Sequence, residues 1–145
     1  MIAIGCDHGG YELKLAVESY LNDNKIEFVD CGCKGEKVDY PDIAAAVCGK
    51  ITSGECDKGI LICGTGIGMS MCANKTNGIR AALCGDTYSA KYTRLHNDAN
   101  VLCMGGRVIG VGLGCEIVRE FLSNEFEGGR HIARIDKMMN LEVKK

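Results

Sequence analysis

Short apolar runs alternate with amphipathic stretches along the chain, and this alternation restricts the fold more than any other feature. Ile2 to Cys6 is one such run, and the segment after it places Leu13, Ala16, Val17, Tyr20 and Leu21 at spacings of three and four, so a strand is followed by a helix. Ile26 to Cys31 reads as a second strand. Pro41 suits the first turn of a second helix that carries Ile43, Ala46 and Val47 inward. Gly59 to Cys63 is a third strand, and its helix opens directly from Gly64-Thr65-Gly66-Ile67-Gly68. Ile79 to Cys84 predicts a fourth strand, Asp86 to Leu95 a fourth helix and Val101 to Met104 a fifth strand. Leu113, Ile117, Val118, Phe121 and Leu122 mark a fifth helix, which Gly128-Gly129 breaks before a last one.

Strands that alternate with helices need right-handed crossovers, and those give a parallel sheet covered on both faces. The expected architecture is a single domain over residues 1–145, a doubly wound, Rossmann-like three-layer α/β sandwich with a five-stranded parallel sheet. With 46% hydrophobic residues and one proline, the chain has apolar material for a core and little linker composition. Sites in such sheets lie beyond the carboxyl ends of the strands. Those ends carry Asp7-His8-Gly9-Gly10, Gly64 to Gly68, Gly85-Asp86 and Gly105-Gly106-Arg107, so one rim collects the candidate chemistry.

Seventeen basic and nineteen acidic residues leave a net charge of −2, so no overall field argues for a nucleic-acid or anionic-membrane partner. An acid follows the first six residues and no basic segment precedes them, which is unlike a signal peptide, and no apolar run approaches the roughly 18 residues of a membrane span. A cytoplasmic location is expected. In that setting ten cysteines are not a disulfide framework, and with no Cys-x-x-Cys pair a structural zinc site is not expected either. Cys6, Cys63, Cys84 and Cys103 fall in or at the end of apolar runs and read first as small buried hydrophobes.

Within the loop Cys63-Gly64-Thr65-Gly66-Ile67-Gly68, alternate glycines let the backbone turn sharply and aim several amide N–H groups at one spot, which suits an anion or oxyanion. A cysteine at such a helix start can act as a thiolate base or nucleophile. The plainer reading is a tight turn beside a buried thiol. A tyrosine-phosphatase-like loop would need arginine at the sixth position after the cysteine, where this chain has Met69. A dinucleotide fingerprint would need Gly-x-Gly-x-x-Gly after the first strand, and although Asp86 stands about 20 residues on, both the glycine spacing and the strand are wrong.

The chain has three histidines, His8, His96 and His131, and each alone would pass for a surface or capping residue. Arg130 and Arg134 are four apart, which places two guanidinium groups on one helix face while Ile132, Ile135 and Met139 occupy another. Paired arginines suit phosphate, though a solvated helix face is the simpler account. Taken together, a base, an oxyanion-type loop, a histidine acid and an arginine pair are what an aldose-ketose isomerase of phosphorylated sugars requires. Such a proton transfer through an enediolate needs no metal and no organic cofactor.

Gly5-Cys6-Asp7-His8, Asp39-Tyr40-Pro41, Ile62-Cys63-Gly64-Thr65-Gly66, Ala73-Asn74-Lys75, His96-Asn97-Asp98 and Gly128-Gly129-Arg130-His131 run in order over nearly the whole chain, and together they resemble the ribose-5-phosphate isomerase B family. The resemblance implies ribose 5-phosphate to ribulose 5-phosphate isomerisation in the pentose phosphate pathway. It casts Cys63 as the proton-shuttling base and the amides of Gly64, Gly66, Ile67 and Gly68 as stabilisers of the enediolate. Thr65, Asp7 and Tyr40 would line the sugar site, Thr65 as part of the catalytic set. His96 would open the furanose ring as acid with Asn97 beside it, and His8, Arg107, Arg130 and Arg134 would hold the phosphate. The family's second branch carries glutamate where this chain has Met69 and serine where it has Thr65, so the resemblance is to the cysteine branch. Six-carbon substrates such as allose or galactose 6-phosphate, and a non-catalytic sugar-phosphate-binding subunit, are the alternatives.

Topology adds an expectation about assembly. His96-Asn97 leads into the fifth strand and therefore lies at the amino edge of the sheet, opposite Cys63; Arg130 and Arg134 meet the same difficulty. These residues are expected to complete a neighbour's site in a symmetric homodimer, as the family's dimeric sites imply, with the C-terminal helix (about 130–145) packing on the partner. Whether dimers pair further into tetramers is open.

Overall fold

The computed structural model describes residues 1–143. Its sheet is built from β1 (Ile2–Cys6), β2 (Phe28–Asp30), β3 (Lys58–Cys63), β4 (Ala81–Leu83) and β5 (Val101–Gly105), in the order β2-β1-β3-β5-β4 with every pairing parallel. Among the described residues six α-helices connect and flank these strands: α1 (Tyr11–Asp23), α2 (Tyr40–Thr52), α3 (Ile67–Ala73), α4 (Thr87–Asn97), α5 (Val111–Ser123) and α6 (Arg130–Met139). The expected five-stranded doubly wound sandwich is what forms.

The three central strands are buried residue after residue because side chains alternate between two covered faces. Ile2, Ile4, Cys6, Ile60, Ile62, Leu102 and Met104 point to one face and pack against α1, α4 and α5 through Leu13, Val17, Ala90, Ile117 and Phe121. Ala3, Leu61, Cys63, Val101 and Cys103 point to the other, where α2 and α3 bring Ile43, Val47, Met69 and Ala73. Full burial of each such aliphatic side chain contributes about 1.5–3 kcal/mol.

The edge strands are shorter than their apolar runs. β2 spans Phe28–Asp30 rather than Ile26 to Cys31, and β4 spans Ala81–Leu83 rather than Ile79 to Cys84. Ile26 is taken up closing α1, its N–H donating to the Leu21 carbonyl at 2.9 Å, and Ile79 closes a turn on the Thr76 carbonyl at 3.1 Å. The third helix of the chain starts at Ile67, and α4 runs to Asn97, two residues past the expected end at Leu95, so His96 sits on the helix. Asp98 stops it in the left-handed conformation at φ 46°.

The sequence pattern of α6 was misleading. Its packed stripe is His131, Ile135 and Met139, whereas Ile132, expected to share a face with Ile135 and Met139, is 51% exposed. The helix begins at Arg130, directly after two glycines at φ 70° and 59°, and this start rotates His131 into the protein. Among the described residues no helix is long and apolar enough to cross a membrane.

Candidate active site

The chain leaves β1 toward α1 on one face of the sheet and leaves β3 toward α3 on the other, which opens a crevice between the two strand ends. Three loops meet there at backbone distance. A side chain on Gly9 would start 3.0 Å from the Gly64 nitrogen, and one on Gly106 would start 2.8 Å from the Gly9 carbonyl oxygen. The β5 loop is tied to the β3 loop by two N–H donors, Gly106 to the Cys63 carbonyl at 2.8 Å and Arg107 to the Gly64 carbonyl at 2.9 Å. The register pairs Cys63 with Gly105, so the thiol stands at the last rung of the two central strands.

Cys63 is 5% exposed, and its Sγ accepts the Gly66 N–H at 3.1 Å. Gly66 can make that bond because it adopts φ 78°, and a Cβ there would lie 2.5 Å from Leu83 and 2.7 Å from the Met104 carbonyl carbon. Other buried thiols lack this arrangement. Burial pushes Cys6 and Cys84 up to about 12 and Cys48 up to about 11, and it holds Cys103 well above the usual thiol range, so these four remain protonated core residues. A sulfur that accepts a backbone N–H in a strand-end crevice is placed to carry negative charge.

Other expected residues gather around it. Asp7 is buried, and its carboxylate accepts the Gly9 N–H at 2.9 Å, which fixes the β1 turn. His8 is exposed at the head of that turn. Thr65 is exposed, its hydroxyl oxygen accepting the Ile67 N–H at 3.2 Å. Two of the loop's amides, those of Gly66 and Ile67, are therefore already engaged inside the loop. The Tyr40 ring, at the start of α2, lies over Gly68, 2.8 Å from where a Cβ would be. Arg107 reaches back so that its Nη1 is 3.5 Å from the corresponding point on Gly64. Asp86 caps α4, accepting the Ser89 N–H at 2.6 Å and the Ser89 hydroxyl at 2.9 Å.

His96, Asn97, Arg130 and Arg134 are not brought to Cys63. α4 starts at the carboxyl end of β4 and returns along the sheet for 11 residues, about 16 Å, so His96 and Asn97 end at the amino rim. There the Asn97 carbonyl accepts from Arg80 Nε at 3.0 Å, Arg80 being the residue before β4. Asp98 is held between two arginines, Oδ1 at 2.9 Å from Arg94 and Oδ2 at 3.3 Å from Arg80. Arg130 and Arg134 are exposed on α6, also at this rim.

Two amino-rim residues were not expected where the structure puts them: Glu127 carried no sequence signal, and His131 was read as a surface residue. The His96 ring stacks on His131 with centroids 4.2 Å apart and planes at 17°. Glu127 Oε2 is 3.6 Å from His131 Nε2 and 4.0 Å from His96 Nε2. His131, expected at the surface, is only 4% exposed, and burial followed by the positive charge of Arg130 pushes its imidazole below the usual histidine range. A cavity of about 530 Å³, lined by Arg80, Asn97, Met138, Met139 and Leu141 but by none of these three residues, opens near the start of β4, while the carboxyl rim has an apolar hollow of about 300 Å³ formed by Thr65, Ile67, Leu83 and Val108.

A model of the Ribose/Galactose Isomerase family matches residues 2–138 of the chain. A putative sugar phosphate isomerase of Bacillus subtilis is 53% identical over 145 residues, covering 99% of this chain and 97% of that protein. Ribose-5-phosphate isomerase B of Escherichia coli is 45% identical over 145 residues with the same coverage, 99% and 97%. The crystal structure of a ribose 5-phosphate isomerase from Thermotoga maritima superposes with a TM-score of 0.94 at 50% identity, covering 97% of each chain.

Proposed function

The chain belongs to the Ribose/Galactose Isomerase family, and on that premise we propose that it interconverts ribose 5-phosphate and ribulose 5-phosphate in the cytoplasm, with Cys63 as the base. The observation that carries this reading is the Cys63 sulfur, held by the Gly66 N–H at 3.1 Å in the crevice between β1 and β3. As a thiolate it takes the proton from C2 of the open-chain sugar and returns it to C1, while the O2 hydroxyl proton passes to O1. Charge that develops on the enediolate oxygens meets the N–H groups of Gly64, Thr65 and Gly68, since those of Gly66 and Ile67 are engaged within the loop, and Thr65, whose oxygen already accepts from Ile67, has its own O–H to donate to the sugar. Asp7 and Tyr40 border the sugar, and His8 and Arg107 bind the phosphate from the same chain.

The remaining groups come from a second copy. His96 as ring-opening acid, Asn97 beside it, and Arg130 and Arg134 on the phosphate lie at the far rim of their own sheet, so the site is complete only where a symmetric partner lays its amino rim over this crevice. Exposed apolar residues flank the crevice, Ile67 at 46%, Leu83 at 44% and Val108 at 67%, and a partner surface carrying α6 would cover them.

Replacing Cys63 by alanine is expected to lower kcat by about 10²–10⁴-fold while ribose 5-phosphate binding, read by calorimetry, persists. Unchanged turnover would reject the thiol as base. The family's description spans ribose and galactose, so a six-carbon sugar phosphate is the second reading. A higher kcat/KM for allose 6-phosphate than for ribose 5-phosphate would select it.

A further inference from the structure

We propose that His96, Glu127 and His131 form a binding site for a divalent transition metal of the zinc class at the amino rim of the sheet. One donor atom from each residue lies within 4.8 Å of the other two. His131 is 96% buried by its 4% exposure, yet its Nε2 has no hydrogen-bond partner and is aimed at the Glu127 carboxylate from 3.6 Å. The second imidazole is 4.0 Å from the same oxygen. Both distances exceed hydrogen-bond reach, but they approach the separation of about 3.3 Å between neighbouring ligands of a tetrahedral zinc with bonds of about 2.0–2.1 Å.

His131 is buried and His96 half-buried, while the Glu127 carboxylate reaches them from a side chain that is 45% exposed. The Glu127 N–H donates to the Leu95 carbonyl at 3.1 Å, which fixes the backbone of the acid beside the end of α4, and the His96 ring, stacked on His131 with planes at 17° but 34% exposed, turns out of the stack on binding so that both in-plane lone pairs meet one ion. Two imidazoles and one carboxylate are a donor set that suits zinc and leaves a fourth position for water. Arg130 and Arg134 lie on the same helix as His131 and oppose a cation, so occupancy follows metal supply. A bound metal takes the His96 Nε2 lone pair, and in this clause alone the inference rests on the proposed ring-opening role: zinc withdraws that acid and inhibits isomerisation.

The test is a Co²⁺ titration of the full chain, followed by its visible absorption, with Zn²⁺ calorimetry in parallel. One equivalent per chain is expected, without the near-ultraviolet band of a thiolate ligand, and Glu127→Gln and His131→Ala should each weaken binding by at least about tenfold. Thermal melts establish that the variants fold, and His131→Gln replaces the alanine variant if that one does not. A thiolate band, or wild-type affinity in both variants, overturns the site. Zn²⁺ should slow ribose 5-phosphate turnover and chelation should restore it. Binding without inhibition upholds the site and rejects the ring-opening role of His96; absence of binding overturns the site whatever His96 does.

Discussion

The two rims of the sheet are built on opposite principles. At the carboxyl rim the backbone makes the geometry: three glycine-rich loops touch one another, and the thiol proposed as base accepts a backbone N–H. At the amino rim side chains make it: two stacked imidazoles stand beside a glutamate, and two arginines close on Asp98, from α4, α6 and the segments before and after them. Backbone that packs against backbone tolerates almost no substitution, whereas a side-chain cluster can be loosened by degrees. If the rims meet only across two chains, damage to one rim should be separable from damage to the other.

Mixing two inactive variants would expose that separation most strongly. Cys63→Ala and His96→Ala are each expected to lose about 10²–10⁴-fold in kcat. Refolded together at equal amounts, half of the dimers pair one variant with the other, and each of these holds one intact site, so activity should return to about a quarter of wild type. A mixture no more active than its parts would place both residues in one chain's site and remove the shared-site reading.

Gly66→Ala attacks the carboxyl rim without removing any functional group. The added Cβ must sit at φ 78° and only 2.5 Å from Leu83 and 2.7 Å from the Met104 carbonyl carbon, so loop and β5 must part. A loss of about 1–3 kcal/mol of stability is expected from the strained backbone alone. The same shift pulls the Gly66 N–H from Cys63, so kcat should fall in the fraction that remains folded. Wild-type kcat at temperatures well below the melting point would show that this hydrogen bond does not matter to the thiol.

How far the sequence revealed each rim follows from the same contrast. β1, β3 and β5 were legible because strands covered on both faces are apolar at almost every position, and the Cys63 loop because its three glycines alternate within five successive residues. The edge strands came out too long because apolar residues such as Ile26 and Ile79 serve turns there, not the ladder. Ile132 was misplaced because apolar character outweighed helix phase, and phase was set by Gly129. Glu127 was invisible: an isolated acid beside two glycines acquires meaning only when α4 and α6 bring His96 and His131 to it. His96 itself was found through the family resemblance, while its position at the amino rim followed from strand order.

The finest comparison lies within α4, whose two ends belong to the two rims. Asp98→Ala removes both arginine contacts and leaves alanine at φ 46°, which only a short polar residue or glycine adopts easily. It should cost about 1–3 kcal/mol and lower kcat, since His96 and Asn97 lose the stop that presents them. Asp86→Ala removes only the cap at the opposite end, where the carboxylate receives the Ser89 N–H and hydroxyl. About 1 kcal/mol of stability should be lost there, with kcat and KM for ribose 5-phosphate nearly unchanged. Paired melting curves and kinetics check both variants. If Asp86→Ala lowered kcat as much as Asp98→Ala, α4 would act as one rigid rod linking the rims, and the division between a backbone-built rim and a side-chain-built rim would fail at this helix.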